Sequence, residues 1–299
     1  MEKGVPQIMD ITSIKSTLYN LSKEILPSKF ETAQQSESNT IQLSFRGVNK
    51  LIWVEISWQG DCARILEINK PKRFGTESTL AKQLGYGLKY MALVSIKQEK
   101  FERVIRFEFS KKPGSEIDKY LIIELMGKHS NFFFLDKSFK IITAGRQLKS
   151  SQSSFRKIAT GCLYEEPPKN FKKEPDENES FETWKKNILI NHQTLKKSLI
   201  LNYQGVSPIL TKQIEFITKL KPKDIMNKDV GFIDEDNLKA IFRTWKKWIT
   251  RIKNNKFNFS TFNNYFYSVW FSLDENFNLE KFEIKVGLEN YYNYFLNQK

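Results

Sequence analysis

"ELMGKHSNFFFLD", residues 124–136, runs from an apolar, strand-like segment through Met126-Gly127 into Lys128-His129-Ser130-Asn131 and then three consecutive phenylalanines. Both flanks read as buried strands, so the polar cluster between them must be the turn that joins them. A turn between buried strands leaves backbone N–H groups to satisfy, which Ser130 and Asn131 can do locally, and Gly127 permits a tight or positive-φ bend. Lys128 and His129 are needed for neither purpose. Both can meet a phosphate or a ribose, which makes them candidates for contact with nucleic acid.

Working outward, "RVIRFEFS" and "YLIIELM" precede the turn and "KIITAGRQ" follows it, all with β-rich runs. Further back, "IQLSFRG", "KLIWVEISW", "ARILEI" and "ALVSIKQ" read as antiparallel strands separated by Gly, Asn and Asp. Residues 8–25 place Ile11, Ile14, Leu18, Leu21 and Ile25 at helical spacing, with Asp10 as a possible N-cap. "ESTLAKQLGYGLKYM" reads as a helix interrupted by Gly85 and Gly87. The first part of the chain is therefore a helix-decorated β-domain. Residues 164–180, "YEEPPKNFKKEPDENES", are rich in Pro and charge and poor in apolar content, as a linker is. Everything beyond reads as helical. The expected class is α+β, with a mixed lobe over residues 1–168, a linker over 169–180 and an all-helical lobe over 181–299.

Lysine and arginine exceed aspartate and glutamate by 14, with 29 basic against 22 acidic residues up to Ser180 and 19 against 12 beyond it. The excess is spread over both lobes, and it favours a polyanionic partner, nucleic acid or an anionic membrane surface. No secretory signal and no long apolar run is visible, so the expectation is a cytoplasmic protein that does not cross the membrane. Two isolated cysteines, Cys62 and Cys162, and two isolated histidines, His129 and His192, lack the clustering of a zinc site, and neither metal nor cofactor is expected. No Gly-rich phosphate loop and no nucleophile–base set stands out, so the protein is read as a binding factor and not an enzyme. In the second lobe, residues 238–256 put Ile241, Trp245, Trp248, Ile249 and Ile252 on one helical face. Arg243, Lys246 and Lys247 fall mostly on the other, either along phosphates or in solvent. Gly205 and Ser207 precede Pro208, a good helix start and a modest phosphate-site candidate. The aromatic-rich end of the chain suits a core or a partner surface, and aromatics also stack on bases.

Taken in order, these pieces resemble the NFACT family of ribosome quality-control factors, long called fibronectin-binding protein A-like. "LIIELMGKHSNFFFLD" is similar to the family's E-[IL]-M-G-[RK]-[HY]-S-N motif and following strand. "FERVIRFEFSKKPG", "ITAGRQLKSSQSSFRKIATGCLYEEPP", "YQGVSPILTKQI" and "MDITSIKSTLYNLSKEI" look like the family's acidic-Arg strand, its Arg-Gly-Tyr-Pro-Pro segment, its G-[VL]-S-P entry and its first helix. The resemblance implies a first lobe similar to the N-terminal domain of a DNA glycosylase and a second similar to its helix-hairpin-helix region. It also implies binding to a large ribosomal subunit that still holds a peptidyl-tRNA, contact with rRNA, and recruitment of a charged tRNA, tRNA-Ala in the family pattern, for C-terminal alanine tailing. Carried over residue by residue, the tRNA-engaging groups are Asp10 and Glu102-Arg103, where the family usually shows Asp in place of Glu102. Lys128, His129, Arg146 and Arg156 belong to the same region by the reading of the residues.

Each of these has a plainer role as well. Asp10 serves equally as a helix cap, Glu102-Arg103 as a cross-strand ion pair, and Arg146 and Arg156 as free, solvated cations. A DNA-repair substrate is not expected, because Glu2 and Lys3 stand where the resembled glycosylase has its proline amine and glutamate. Other readings are a generic RNA-binding protein and, less favoured, a fibronectin-binding adhesin. The family's coiled coil and second RNA-binding domain would follow the "YYNY" segment, and their heptad pattern does not occur before Lys299; a fragment and a natural short form are both open.

Overall fold

The computed structural model describes residues 5–71, 75, 78–148, 156–168, 171–190, 192–219, 224–262, 266–271 and 283–296. Asp10 caps the first helix, α1 (Ile11–Ile25), its carboxylate accepting the Ser13 N–H at 3.0 Å. The helix therefore begins at Ile11, and Ile14, Leu18, Leu21 and Ile25 fall on its buried face, as the spacing predicts.

Nine strands follow as one antiparallel sheet. They are β1 (Ser28–Glu37), β2 (Thr40–Arg46), β3 (Leu51–Ser57), β4 (Arg64–Ile68), β5 (Ala92–Gln98), β6 (Val104–Ser110), β7 (Ile117–Glu124), β8 (Asn131–Asp136) and β9 (Ile141–Ala144). The order is β4-β3-β2-β1-β5-β6-β7-β8-β9, so two meanders meet where β1 pairs with β5. Helix α2 (Thr79–Gly87) lies on the sheet between them, with Gly85 and Gly87 inside its last turn. Alternation sorts the side chains: Ile105, Phe107 and Phe109 of β6 enter the main core with α1, while Ile122, Phe133 and Leu135 face the other way into a small cluster with Ile141 and Ile158.

The remaining helices are α3 (Phe181–Leu189), α4 (Leu195–Asn202), α5 (Pro208–Thr218), α6 (Glu235–Lys253) and α7 (Ile284–Leu296). They are not the whole of the second part, because β10 (Ser260–Phe262) and β11 (Phe266–Ser268) form an antiparallel hairpin there. The aromatic run that reads as helical supplies β-branched and aromatic residues suited to strands. Helices α3 to α6 build a core around Trp184, Tyr203, Trp245 and Trp248. Ile11 and Phe101 from the first lobe pack into that same core, and the Trp248 Nε1–H donates to Thr12 Oγ1 at 2.9 Å. Helix α7 instead crosses back to β4 and α1, where Leu288, Tyr291 and Tyr292 join the sheet's core. The linker is docked: Lys173 bridges to Tyr203, and Glu179 accepts from the Tyr203 hydroxyl at 2.8 Å. No helix among the described residues is long and apolar enough to cross a membrane.

Candidate nucleic-acid interface

The β7–β8 connection that opens the sequence reading is a single 3-10 turn, Gly127–His129. Gly127 takes φ +58, a left-handed backbone that glycine adopts without strain. The Ser130 hydroxyl accepts the Met126 N–H at 2.8 Å, and Asn131 Oδ1 accepts from the backbone of both Phe132 and Arg146. Ser130 and Asn131 are thus fold chemistry. Asn131 also ties this turn to the end of β9, which places Arg146 beside it. Lys128 and His129, as expected of residues the turn does not need, are exposed.

Three other segments meet this turn at the same end of the sheet. Glu102 and Arg103 do not lie in a strand; they close the turn before β6, with the Arg103 carbonyl accepting from Leu125 N at 3.0 Å. Nor do they form a cross-strand ion pair. Glu102 accepts from the Gln204 side-chain amide, reaching across to the helical core. Asp10 arrives at the N-terminus of α1, and Ser207, the N-cap of α5, donates its hydroxyl to Asp10 Oδ2 at 3.3 Å. Gly205, at φ +75, is needed for close approach of a different kind from that expected. A Cβ there would lie 2.9 Å from Phe101 Cβ, so this glycine seats the α4–α5 turn on the first lobe.

The result is a cleft of about 630 Å³ whose walls include Asp10, Glu102, Arg103, His129, Arg146 and Arg156 together with Gly205 and Ser207. Lys128 lies outside the lining; its backbone carbonyl accepts from Arg146 Nη2 at 3.1 Å. Arg243, Lys246 and Lys247 stand on the outer face of α6 and do not join the cleft. The Lys246 amine bonds the Glu177 carbonyl in the linker, while Arg243 and Lys247 are exposed.

The charges in the cleft differ in kind. Burial lowers the pKa of the Arg103 guanidinium, opposed by the carboxylates of Asp10 and Glu102. Burial raises Asp10, opposed by its bonds from Ser13 and Ser207 and by Arg103. Each charge is therefore held in a poorly solvated place where an incoming group of opposite sign is felt strongly. Arg156 is not the free cation that sequence alone suggests. It grips both carboxylate oxygens of Glu124, one at 2.7 Å, and donates to the Glu165 carbonyl at 2.8 Å, while the Tyr164 hydroxyl donates to the same carboxylate at 2.8 Å. Burial works against the Arg156 charge and Glu124 more than offsets it, so its pKa ends above the ordinary value. Glu124 of the "ELMG" block is the buried anchor of Arg156, a role that depends on a partner 32 residues away. Gln204 and Lys172, which also line the cleft, were missed, since nothing local marks them. Among the described residues no group of three or more His, Cys, Asp or Glu is placed to hold a metal ion.

Residues 10–299 match the model of the NFACT N-terminal and middle domains. The chain belongs to the NFACT family. Two curated relatives are the Rqc2 homolog RqcH of Streptococcus suis (strain 05ZYH33), 41% identical over 83 residues, and that of Bacillus subtilis (strain 168), 28% identical over 121. Those stretches cover 27% and 40% of this chain but 15% and 21% of the relatives' own lengths. This NFACT chain also has the fold of two solved proteins. The fibrinogen binding protein from Staphylococcus aureus superposes with a TM-score of 0.73 at 20% identity, covering 96% of this chain and 100% of that one. The N-terminal part of the fibronectin/fibrinogen-binding protein from Streptococcus suis gives 0.70 at 21%, covering 97% and 99%.

Proposed function

We propose that this NFACT chain is the tRNA- and ribosome-engaging portion of a ribosome quality-control factor. It binds obstructed large subunits that retain peptidyl-tRNA and recruits a charged tRNA, tRNA-Ala in the tailing reaction, for C-terminal alanine addition. Peptidyl transfer itself is left to the ribosome, and the chain contributes binding and positioning in the cytoplasm. The observation that carries this reading is the convergence of Asp10, Glu102-Arg103, His129 and Arg146 at one end of the sheet, in a cleft between the two cores with Lys128 just outside it. Arg103 is the central group, because a partly buried guanidinium gains most from a phosphate that replaces its lost hydration. Lys128 and His129 extend the contact outward, and Arg146 borders it. Arg156 holds the wall and does not touch RNA. Arg243, Lys246 and Lys247 lie along rRNA or tRNA phosphates at a second, weaker surface.

The test is sedimentation of the tagged protein from cells with stalled translation, with sequencing of the small RNA in each fraction. Wild type enriches on free large subunits with a restricted set of tRNAs, and Arg103→Ala loses that enrichment. A wild-type protein that stays at the top of the gradient without tRNA overturns the reading.

A further inference from the structure

Gln7, three residues before Asp10, does not line the cleft; it lines an adjoining cavity of about 520 Å³ that shares Asp10, Arg103 and Ser207 with the cleft. The stretch from Val5 to Asp10 is neither helix nor strand, so its buried backbone groups need partners from elsewhere. Helix α7 supplies them. The Gln7 N–H donates to the Tyr291 hydroxyl at 3.0 Å, and the Gln7 carbonyl accepts from the Tyr292 hydroxyl at 2.9 Å. Two consecutive tyrosines thus do for one residue what a neighbouring strand does in a sheet.

The side chain of Gln7 makes a third bond. Its Oε1 accepts the Tyr267 N–H at 3.0 Å, and the Tyr267 carbonyl accepts from the Gln213 side-chain amide of α5 at 2.8 Å. Gln213 Oε1 accepts the Trp270 Nε1–H at 2.8 Å, so residues 267–270 are fixed on α5 through both ends of one amide. The same helix is capped by Ser207, whose hydroxyl meets Asp10. A closed circuit results: Gln7 to β11, β11 to α5, α5 through Ser207 to Asp10, and back along the chain to Gln7. Three residues span at most about 10 Å, so Asp10 has little room to leave Ser207 while Gln7 is clamped.

Helix α7 is itself seated by contacts remote from the cleft. Asn69 donates from its backbone and its side chain to the Glu289 carboxylate at 3.0 and 2.9 Å, and Lys285 meets Glu67 at 3.3 Å. Gly287 lies so close to the Phe259 ring that a Cβ would have no room. Tyr292 gives its one proton to the Gln7 carbonyl, so the Tyr267 hydroxyl, 3.1 Å away, donates to Tyr292. Neither Tyr291 nor Tyr292 lines the cleft.

We infer that Tyr291 and Tyr292 of α7 are positioning residues for the cleft, holding Gln7 and through it setting Asp10 against Ser207 and Arg103 for an RNA backbone. The RNA in that statement rests on the proposed function; the clamp on Asp10 does not. A wall ordered in advance lowers the cost of binding, and binding in return tightens the clamp.

The experiment uses the full chain with Tyr291→Phe, Tyr292→Phe and the double variant, which keep the rings and remove the hydroxyls. Amide hydrogen exchange is read by NMR at Gln7, whose N–H bonds Tyr291, at Ser13, whose N–H bonds Asp10, and at Leu210, whose N–H bonds Ser207. In the double variant exchange should quicken at all three. Affinity for a labelled tRNA-Ala transcript, measured by anisotropy, should fall about tenfold, within the ordinary range of coupling between sites. Adding the transcript to wild type should slow exchange at Gln7 as well as at Ser13. Ser180→Ala, which removes the N-cap of α3 outside both the clamp and the cleft, controls for lost stability: affinity should stay at the wild-type value and the three amides should not be singled out. If the double variant does not fold, Tyr291→Phe alone, which removes one bond to Gln7, decides. Faster exchange at Gln7 with Ser13 and Leu210 unchanged overturns the positioning of Asp10. Faster exchange at all three with unchanged tRNA affinity overturns the role in RNA binding and leaves the proposed function standing. Faster exchange at all three in a protein whose wild type binds no tRNA overturns the proposed function and supports the clamp.

Discussion

The cleft and the outer face of α6 carry the same kinds of side chain and present them in different physical states. On α6, Arg243 and Lys247 reach into solvent, and the lysines beside them are tied to carboxylates: Lys239 to Glu235 at 2.7 Å and Lys253 to Glu177. Exposed charges of this kind are screened by salt and well hydrated, so each contributes little and is easily replaced. In the cleft, Arg103 has lost part of its hydration, Arg156 is locked on a fully buried Glu124, and Asp10 is capped into place. On the proposed function, net charge would bring a polyanion to the molecule, and burial and fixed partners would decide where it is held.

The largest effect should come from breaking the locked pair. Glu124 is 0% exposed in its side chain and Arg156 14%. Glu124→Ala strands the guanidinium and the Tyr164 hydroxyl together, and is expected to cost about 3–5 kcal/mol. For a chain of this size that lowers the melting temperature by roughly 5–8 °C. A melt unchanged within a degree or two would mean that the pair is not a structural anchor, and the contrast with α6 would fail at its strongest point.

Next in size is Arg103→Ala. Its charge-assisted bond to a phosphate corresponds to about 1.5–3 kcal/mol, so RNA affinity should fall about 10- to 100-fold with folding retained. The comparison is sharpened by Lys247→Ala on α6. That substitution should weaken RNA binding by roughly twofold across sequences and reduce the slope of log K against log salt by about one. Equal losses from the two, in anisotropy titrations at several salt concentrations, would make the molecule a uniformly basic surface with no privileged cleft.

These differences also mark how far the sequence could be read. Period-two runs located most of the strands, because a sheet buried on one face writes its alternation into the chain. The helix at Ile11 and its Asp10 cap were legible because both are local. Ser130 and Asn131 were legible as turn chemistry for the same reason. The pairing of Arg156 with Glu124, the reach of Gln204 to Glu102 over 102 positions and the contact of Ser207 with Asp10 over 197 were not. Such bonds depend on which strand ends and helix starts converge, and no spacing in one chain records that. The hairpin β10–β11 was misread because its short aromatic strands lack the length that separates a buried strand from a helix. Helix α7 looked like part of the helical lobe because adjacency in sequence says nothing about which core a helix joins.

The smallest effect tests whether burial at Asp10 has the sign argued for the cleft. Its folded-state pKa is raised above the ordinary 3.8, with burial as the leading cause and the Ser13, Ser207 and Arg103 contacts opposing it. Between the unfolded and folded values the native state binds more protons than the unfolded chain. Stability therefore falls as pH rises through that window, and the loss is complete above the folded value. Asp10→Asn keeps an equally good N-cap, about neutral on the capping scale, and removes the titration. In denaturant titrations the variant should match or fall slightly below wild type just below pH 3.8, and gain on it as the pH is raised through the window above 3.8. A variant that loses ground on the same climb would show that Asp10 is stabilised in its charged form by Arg103 and the two hydroxyls. In that case the carboxylate and guanidinium would be a satisfied pair like Glu124 and Arg156, and Arg103 would not be left for a phosphate to claim.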